Sequence, residues 1–307
     1  MKERGLIFTY GLVFFITAIW GLNVVFLKVL VENMPAQTMT AFRIMIAGVI
    51  ALIIVLFTKE LRRLTKREWT FTILGMIFGV MAHHLFLALG LQSIPASNAS
   101  LILALVPIAT AVLGVIFLGE NLTKARITGF VLALFGVFLI QGATVDAFSL
   151  SIGEGMLFMS MFAQAISFIF IKKATATLDS KAVTTVMYLS GSLGLLILAL
   201  VMEPSGLEGM AEASVGVYAV LFMSGIVATG IGHMVFNSAI QKIGASKTAI
   251  FNNFVPFFGV IFSVIFLKEV ININQIIGFV FIVTGVLFGT GYIERVLKKR
   301  KLKELEE

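Results

Sequence analysis

The chain contains three histidines, and all of them lie in strongly apolar stretches. His83 and His84 are neighbours in GVMAHHLFLALG, and His233 lies in a similar stretch of the second half. An imidazole can hydrogen bond, and it can carry a proton because it titrates near pH ~6.5. We therefore interpret His84 and His233 as a pair that binds substrate or gating groups; the alternative is that each neutral ring only forms a hydrogen bond between helices. Adjacent helical residues point about 100° apart, so His83 and His84 cannot chelate one metal ion, and we predict no metal site.

Other polar side chains in apolar stretches are candidates for the same substrate site. They are Trp20, Asn23, Arg43, Asn237, Asn252 and Asn253. For the asparagines the structural alternative is a hydrogen bond between helices. Arg43 has three alternatives: its side chain reaches the membrane interface, pairs with Glu32, or pairs with a substrate carboxylate.

Two prolines, Pro107 and Pro256, fall inside apolar stretches that are long enough to be helices. Proline inside a helix removes a backbone hydrogen bond and bends the helix. We expect either hinges that line a central cavity or static kinks.

Four charged residues lie near the ends of predicted helices. Lys28 and Lys172 are expected to extend towards the membrane interface. Glu120 and Glu269 begin short connections, where capping a helix or pairing with a nearby cation is the expected role.

The composition predicts a membrane protein. Hydrophobic residues make up 59% of the 307 residues and charged residues only 13%, with a mean hydropathy of +1.05. Such a chain has too little polar surface for a soluble domain. The net charge of +7 comes from basic residues near helix ends, so we predict no nucleic-acid partner. The sequence has no cysteine and no phosphate-binding loop, and we predict no cofactor.

Apolar runs between breaking residues predict ten transmembrane helices. They span about 6–29, 38–58, 70–91, 98–118, 125–141, 153–172, 182–202, 215–240, 248–267 and 274–292. With both termini in the cytoplasm, 20 of the 23 lysines and arginines fall on the inner side. The positive-inside rule therefore predicts a multi-pass protein of the cell (inner) membrane, with residues 293–307 as a cytoplasmic tail.

The two halves of the sequence resemble each other. Residues 91–140 align with residues 240–289 without a gap, with about 17 identities in 50 positions. We call this constant difference in residue number the repeat offset; it also matches Pro107 to Pro256 and His84 to His233. We predict one five-helix repeat at 6–141 and a second at 153–292. Five is odd, so the second copy is inverted in the membrane, as in many secondary transporters.

Several motifs resemble those of a known family. They are WGLNVVFLK in the first helix, AFRIMIAG around Arg43, and a VP thirteen residues before a GE that is followed by Gly129 and Gly136. On these residues the chain resembles the drug/metabolite transporter superfamily, as a member with two EamA-type repeats. The second copy departs from the pattern, because Gln164 stands where Trp20 would be and Lys268 replaces the glycine before Glu269. The resemblance implies export or exchange of small metabolites, often amino acids or drugs.

The sequence thus predicts an all-α polytopic membrane protein with ten transmembrane helices in two inverted five-helix repeats. We expect a secondary transporter for small polar metabolites, with amino acids as the first candidates, a coupled proton as a further partner, and no enzymatic activity. A multidrug exporter and a passive channel are the alternatives. A sugar-phosphate carrier is less favoured, because we expect no lysine or arginine near the membrane midplane.

The predicted topology can be tested with reporter fusions. Fusions after Glu68 and in the tail should report a cytoplasmic location, and a fusion near Gly206 an external one, because basic loops stay inside. A tail that reports an external location would contradict a repeat with an odd number of helices.

Overall fold

The computed structural model describes residues 2–58, 62–118, 123–140, 151–243, 251, 254–289, 293–294 and 296. The first half contains α1 (Lys2–Asn33), α2 (Ala36–Thr58), α3 (Lys66–Met76), π1 (Ile77–Ala82), α4 (His83–Leu91), α5 (Ala96–Leu103), α6 (Val106–Leu118) and α7 (Lys124–Ile140). The second half contains α8 (Ile152–Ala174), α9 (Ser180–Met202), α10 (Gly206–Ala211), α11 (Val215–Phe222), π2 (Met223–Ile231), α12 (Gly232–Ile243), α13 (Phe254–Leu267) and α14 (Ile273–Gly289).

The helices are long and apolar enough for a membrane protein. Among the residues described, seven helical segments, one of which joins α5 to the first part of α6, are long and apolar enough to cross a membrane, and α13 and α14 are shorter apolar helices. The predicted all-α class is confirmed, whereas the count of ten transmembrane helices stays a prediction.

Helix bounds recur at fixed spacings in the two halves. The repeat offset that relates His84 to His233 also relates the start of α3 to the start of α11, and the start of α4 to that of α12. The same offset relates the start of α7 to the start of α14, while the start of α2 precedes that of α9 by a slightly shorter spacing. The duplication seen in the sequence is therefore repeated in the helix bounds.

Equivalent helices of the two halves pack in opposite directions. Gly129, near the start of α7, contacts Gly289 at the end of α14, while Gly136 lies against Gly278 near the start of α14. In the other pair, Glu203 at the end of α9 contacts the start of α2. Antiparallel packing of these helices agrees with an inverted repeat, and the inversion within the membrane stays a prediction.

A π-helix precedes both aligned histidines. π1 is followed directly by His83, and π2 is followed directly by Gly232. His83 and Gly232 are equivalent positions at the repeat offset. A π-helix widens the backbone turn and changes the direction of the side chains after it, and such segments are frequent at functional sites. This irregularity sets the directions of His84 and His233.

Pro107 lies at a helix start and not at a midpoint, whereas residues 252–253, just before the described start of α13, lie outside the described part of the chain. The predicted helix 98–118 is divided, because α5 ends at Leu103 and α6 begins at Val106. Pro107 is the second residue of α6, and Pro256 is the third residue of α13. Proline costs least in the first turn, where its missing N–H would have no partner within the helix. The expectation of a proline inside a continuous helix is therefore wrong for Pro107.

The connection before α3 is fixed by one carboxylate. Glu68 completes a capping box with Thr65 and accepts hydrogen bonds from Arg62 and from the Thr177 hydroxyl. These donors, Arg62 first, hold the pKa of the Glu68 carboxyl well below its usual range. Because Thr177 lies between α8 and α9, this contact joins the two halves.

The contact between α7 and α14 should not tolerate a methyl group. A Cβ at Gly285 would lie 2.6 Å from the Gly129 carbonyl oxygen and 2.7 Å from the Ala133 nitrogen. We expect Gly285→Ala to destabilise the protein by about 1–3 kcal/mol through overpacking, measured as a lower melting temperature in detergent. Gly155→Ala in α8 is the matched control, since nothing lies within 4 Å of its added Cβ. Equal melting temperatures of the two variants would contradict the close contact.

Candidate functional site

Arg43 is the centre of a buried polar cluster. Its side chain belongs to α2 and only 1% of the residue's surface is exposed. One terminal nitrogen donates to the Thr229 hydroxyl at 2.9 Å, and the other lies 3.1 Å from Nδ1 of His84. A guanidinium can only donate, so Nδ1 of His84 must accept, and the proton of this neutral ring lies on Nε2.

No carboxylate of the described chain neutralises Arg43. Lys28 pairs with Glu32 at 3.1 Å, and Arg62 pairs with Glu68. Glu32 therefore pairs with Lys28, and the expected alternative of an Arg43–Glu32 pair is wrong. The burial of Arg43 also excludes the alternative in which its side chain reaches the membrane interface. Its Nε has no hydrogen-bond partner, so the cluster holds an uncompensated cation, which is costly at a buried site.

His233 occupies the other side of Thr229. Its Nδ1 lies 3.0 Å from the Thr229 carbonyl oxygen, which can only accept, so Nδ1 carries the proton and Nε2 is left as an acceptor. The ring of Tyr188, from α9, meets the His233 ring edge-on with 5.8 Å between the ring centroids. Thr229 thus links the two side chains, because its carbonyl oxygen binds His233 and its hydroxyl binds Arg43.

Trp20 forms the aromatic wall beside His233. The centroids of the two rings lie 4.8 Å apart, and Phe236 lies 4.9 Å from Trp20 on the same helix as His233. The indole N–H donates to the Ala228 carbonyl oxygen at 2.8 Å, within π2. A π-helix leaves carbonyl groups that side chains of neighbouring helices can reach, so π2 and Trp20 fix each other.

His83 serves a different contact. Its Nδ1 lies 3.1 Å from the Ser160 carbonyl oxygen and 2.8 Å from the Ser160 hydroxyl, and that hydroxyl donates to the His83 carbonyl at 2.9 Å. Ser160 is fully buried in α8. His83 therefore joins α4 to α8, while His84 points to α2.

The two aligned histidines have different partners. At the spacing that relates α2 to α9, the position of Arg43 is occupied by Met187. Only His84 therefore contacts a cation, and His233 has aromatic neighbours instead. Both belong to one network through Arg43 and Thr229, and their role as gating residues of a central cavity stays a prediction.

The remaining predicted residues lie elsewhere or outside the described atoms. Asn23 accepts a hydrogen bond from the Ser224 hydroxyl at 2.6 Å, which is the interhelical bond expected as the structural alternative. Pro107 and Pro256 belong to α6 and α13, which are not the helices that carry Arg43, His84 and His233. The side chains of Asn237, Asn252 and Asn253, and the whole of Glu120, lie outside what the structure describes.

Sequence reasoning missed the partners of the cluster. Thr229, Ser224 and Tyr188 bond to or contact predicted site residues, and Ser160 bonds to His83, which was not predicted as a site residue. Serine and threonine are common in membrane helices, where they bond to their own backbone, so their presence gives no specific signal. For Thr229 a signal existed, because it lies one turn before His233.

The role of His84 as an acceptor can be tested by substitution. His84→Ala should lower stability by about 1–3 kcal/mol, because it leaves a buried guanidinium donor unpaired. His84→Gln should cost less, since its side-chain oxygen can accept the same bond, and Thr229→Val should resemble His84→Ala. Melting temperatures in detergent would show this order. Equal losses for Ala and Gln would mean that His84 acts through packing alone.

Comparisons with known proteins agree with this architecture. The EamA-like transporter family matches residues 7–142 and again residues 151–290. A Bacillus subtilis protein described as an uncharacterized transporter, YyaM, is 28% identical over 272 residues, covering 87% of this chain and 88% of its own. An Escherichia coli protein described as a probable amino-acid metabolite efflux pump is 26% identical over 277 residues, with 88% and 90% covered.

One solved crystal structure shares the fold. It superimposes with a TM-score of 0.66 at 18% identity and covers 93% of this chain and 97% of its own. The two family matches together span nearly the whole sequence, in agreement with the repeated helix bounds. The chain is a multi-pass membrane protein that belongs to the EamA-like transporter family, and it is therefore a transporter and not an enzyme.

Proposed function

We propose that the chain exports or exchanges small polar metabolites that carry a carboxylate, with amino acids as the first candidates, by alternating access. The observation that carries this proposal is the buried guanidinium of Arg43, which has only neutral partners among the described residues. A buried cation is stabilised by a counter-charge, and a substrate carboxylate would supply one.

The donors around Arg43 suit a carboxylate. A guanidinium binds a carboxylate through two parallel hydrogen bonds, and its Nε–H is without a partner here. Nε2 of His84 carries a proton and is a second donor close by. Nε2 of His233, by contrast, is an acceptor, as the ammonium group of an amino acid requires. Donors at Arg43 and His84 and an acceptor at His233 therefore complement a zwitterion.

The repeat supports alternating access. Equivalent helices pack antiparallel, and basic residues concentrate in the loops predicted to be cytoplasmic. Two inverted copies can exchange conformations and so open a shared site to either side in turn. The Escherichia coli relative, whose description names amino-acid metabolite efflux, agrees with this substrate class.

A coupled proton would be carried by His233 and not by His84. Nδ1 of His84 accepts from Arg43, so a proton there would place two donors and two positive charges 3.1 Å apart. Nε2 of His233 is left as an acceptor by the bond from Nδ1 to Thr229. The pH dependence of transport should therefore survive His84→Gln and be lost in His233→Gln.

The aromatic neighbours of His233 favour a second candidate. Trp20, Phe236 and Tyr188 form an aromatic wall that would suit a multidrug exporter. Arg43 disfavours cationic drugs, so this candidate requires neutral or anionic ones. The expectation that no lysine or arginine lies near the membrane midplane stays a prediction. Arg43 is a buried cation, and a single cation matches a carboxylate better than a doubly charged phosphate.

Transport in proteoliposomes tests the proposal. Arg43→Gln should lower kcat/KM for labelled amino acids about 100-fold, because it removes one partner of a buried charge pair. The wild type should also reject the amide of the same amino acid, which lacks the carboxylate.

Arg63→Gln, at an exposed arginine of the loop before α3, is the control and should transport normally. Equal transport of acid and amide would contradict the carboxylate assignment and favour the multidrug candidate. Counterflow distinguishes a carrier from a channel, since only a carrier accelerates exchange when unlabelled substrate is present on the opposite side.

A further inference from the structure

The buried polar cluster is sealed at one end by apolar side chains. Three helices of the cluster contribute to one buried apolar group. The group begins after Trp20 in α1, before Arg43 in α2 and after His84 in α4. We call this group the apolar seal. Its members include Val24, Leu27, Met39, Leu87, Ala99 and Ile102.

A cavity lies at the opposite end of these helices. It measures about 300 Å³ and is lined by residues near the start of α1 and α9 and the end of α2 and α12, including Phe8, Lys181, Ile54 and Ala239. A second cavity, of about 340 Å³, lies beside the apolar seal and is lined by Phe42, Met210 and Leu221 among others. Cavity volume alone therefore does not distinguish the two ends, and the contacts that hold the seal in place decide which part can open.

The helix α5 completes the seal and is separated from α6. It contributes Ala96, Ala99 and Ile102 to the apolar seal. It has only eight residues, and a turn at Ala104–Leu105 divides it from α6. A short helix that ends at a break can move as a unit without unfolding its neighbour.

The free end of α5 is held by the other half of the chain. Pro95 precedes α5 and offers no side-chain cap. Instead, the Glu269 carboxylate accepts from the backbone nitrogens of Ala96 at 2.8 Å and Ser97 at 3.1 Å. Gln275, in the first turn of α14, donates to the Asn98 side-chain oxygen at 2.6 Å. These contacts are polar and exchangeable, unlike the apolar packing below them.

We propose that α5 is the gate of the transport pathway at this end, and that Glu269 and Gln275 form the latch that holds it closed. The gate opens when α5 pivots at the Ala104–Leu105 turn and its N-terminus leaves the carboxylate. Under the predicted topology, on which the assignment of the side rests, this is the outer gate through which exported substrate leaves.

The sequence makes this latch specific to one end. At the repeat offset, Arg126 occupies the position of Gln275, and Lys247 that of Asn98. Two cations cannot form the hydrogen bond that joins Gln275 to Asn98. The sequences of the two copies therefore differ at both positions of this hydrogen bond.

Glu203 provides a matched control within the same chain. It also comes from the second half and caps a helix of the first, accepting from the backbone nitrogens of Gln37 at 3.1 Å and Thr38 at 2.9 Å. The helix it caps, α2, is 23 residues long and packs along α9. Loss of Glu203 should weaken the fold without opening the seal.

Cysteine labelling tests the latch directly, because the natural chain has no cysteine. Ala99→Cys places a thiol inside the seal, and a membrane-impermeant maleimide added to intact cells reports its accessibility. We expect slow labelling with the latch intact and at least about tenfold faster labelling after Glu269→Ala, which removes two charge-assisted hydrogen bonds. Asn98→Lys with Gln275→Arg, which reproduces the cations of the other repeat, should also accelerate labelling, and Glu203→Ala should not.

A second variant separates a latch from a simple helix cap. Pro95→Asp gives α5 its own capping side chain, as Asp179 caps α9. In the Glu269→Ala background it should restore protein yield while labelling stays fast. If Pro95→Asp also restored slow labelling of the cysteine, the proposal would be overturned. Fast labelling with Glu269 and Gln275 intact, or slow labelling after either latch substitution, would overturn it as well. Labelling only in inverted vesicles would overturn the outer assignment.

The labelling needs no substrate. A change in labelling together with absent amino-acid transport would keep the latch and reject the proposed substrate. Normal amino-acid transport with unchanged labelling would keep the proposed substrate and reject the latch.

Discussion

The charge of Arg43 is the constraint on which the interior of this protein depends. A guanidinium sealed between helices must be hydrogen bonded, and its two partners come from α4 and from π2, in different halves of the chain. Thr229 in turn fixes His233, whose ring packs on Trp20. One charged side chain thus sets the relative positions of α1, α2, α4 and α12. Because both partners are neutral, the charge of Arg43 is not cancelled within the cluster. Under the proposed function, the same side chain would both order the helices and bind the substrate.

Much of the fold was predictable because it follows from hydrophobicity and duplication. Long apolar runs can only be helices in a membrane, since the backbone must satisfy its own hydrogen bonds there. The repeat offset, read from prolines, glycines and histidines, also relates the bounds of the helices. The break before Pro107 was less accessible: the proline signals an irregularity, but its exact place depends on the packing of α5 against the other half.

The candidate site was predictable in its residues and not in its pairings. Arg43, His84, His233 and Trp20 stand out because polar groups are rare in apolar runs, and the structure brings these four together. Their partners are hydroxyls and carbonyl oxygens, which every helix contains, so only the three-dimensional packing selects among them. The symmetry of the sequence suggested equivalent histidines. A single difference, methionine at the position of Arg43 in the second half, makes them unequal.

The π-helices have a consequence for how this sequence can change in length. A π-helix arises when one extra residue is accommodated within a helix, and each added or removed residue rotates the rest of that helix by about 100°. Removing one residue from Ile77–Ala82 would straighten the helix and turn His84 away from Arg43, although no residue of the cluster had been altered. Both halves carry such a segment directly before the aligned histidine register. In these two segments the number of residues, and not only their identity, is under constraint, so single-residue deletions there should be far less tolerated than conservative substitutions.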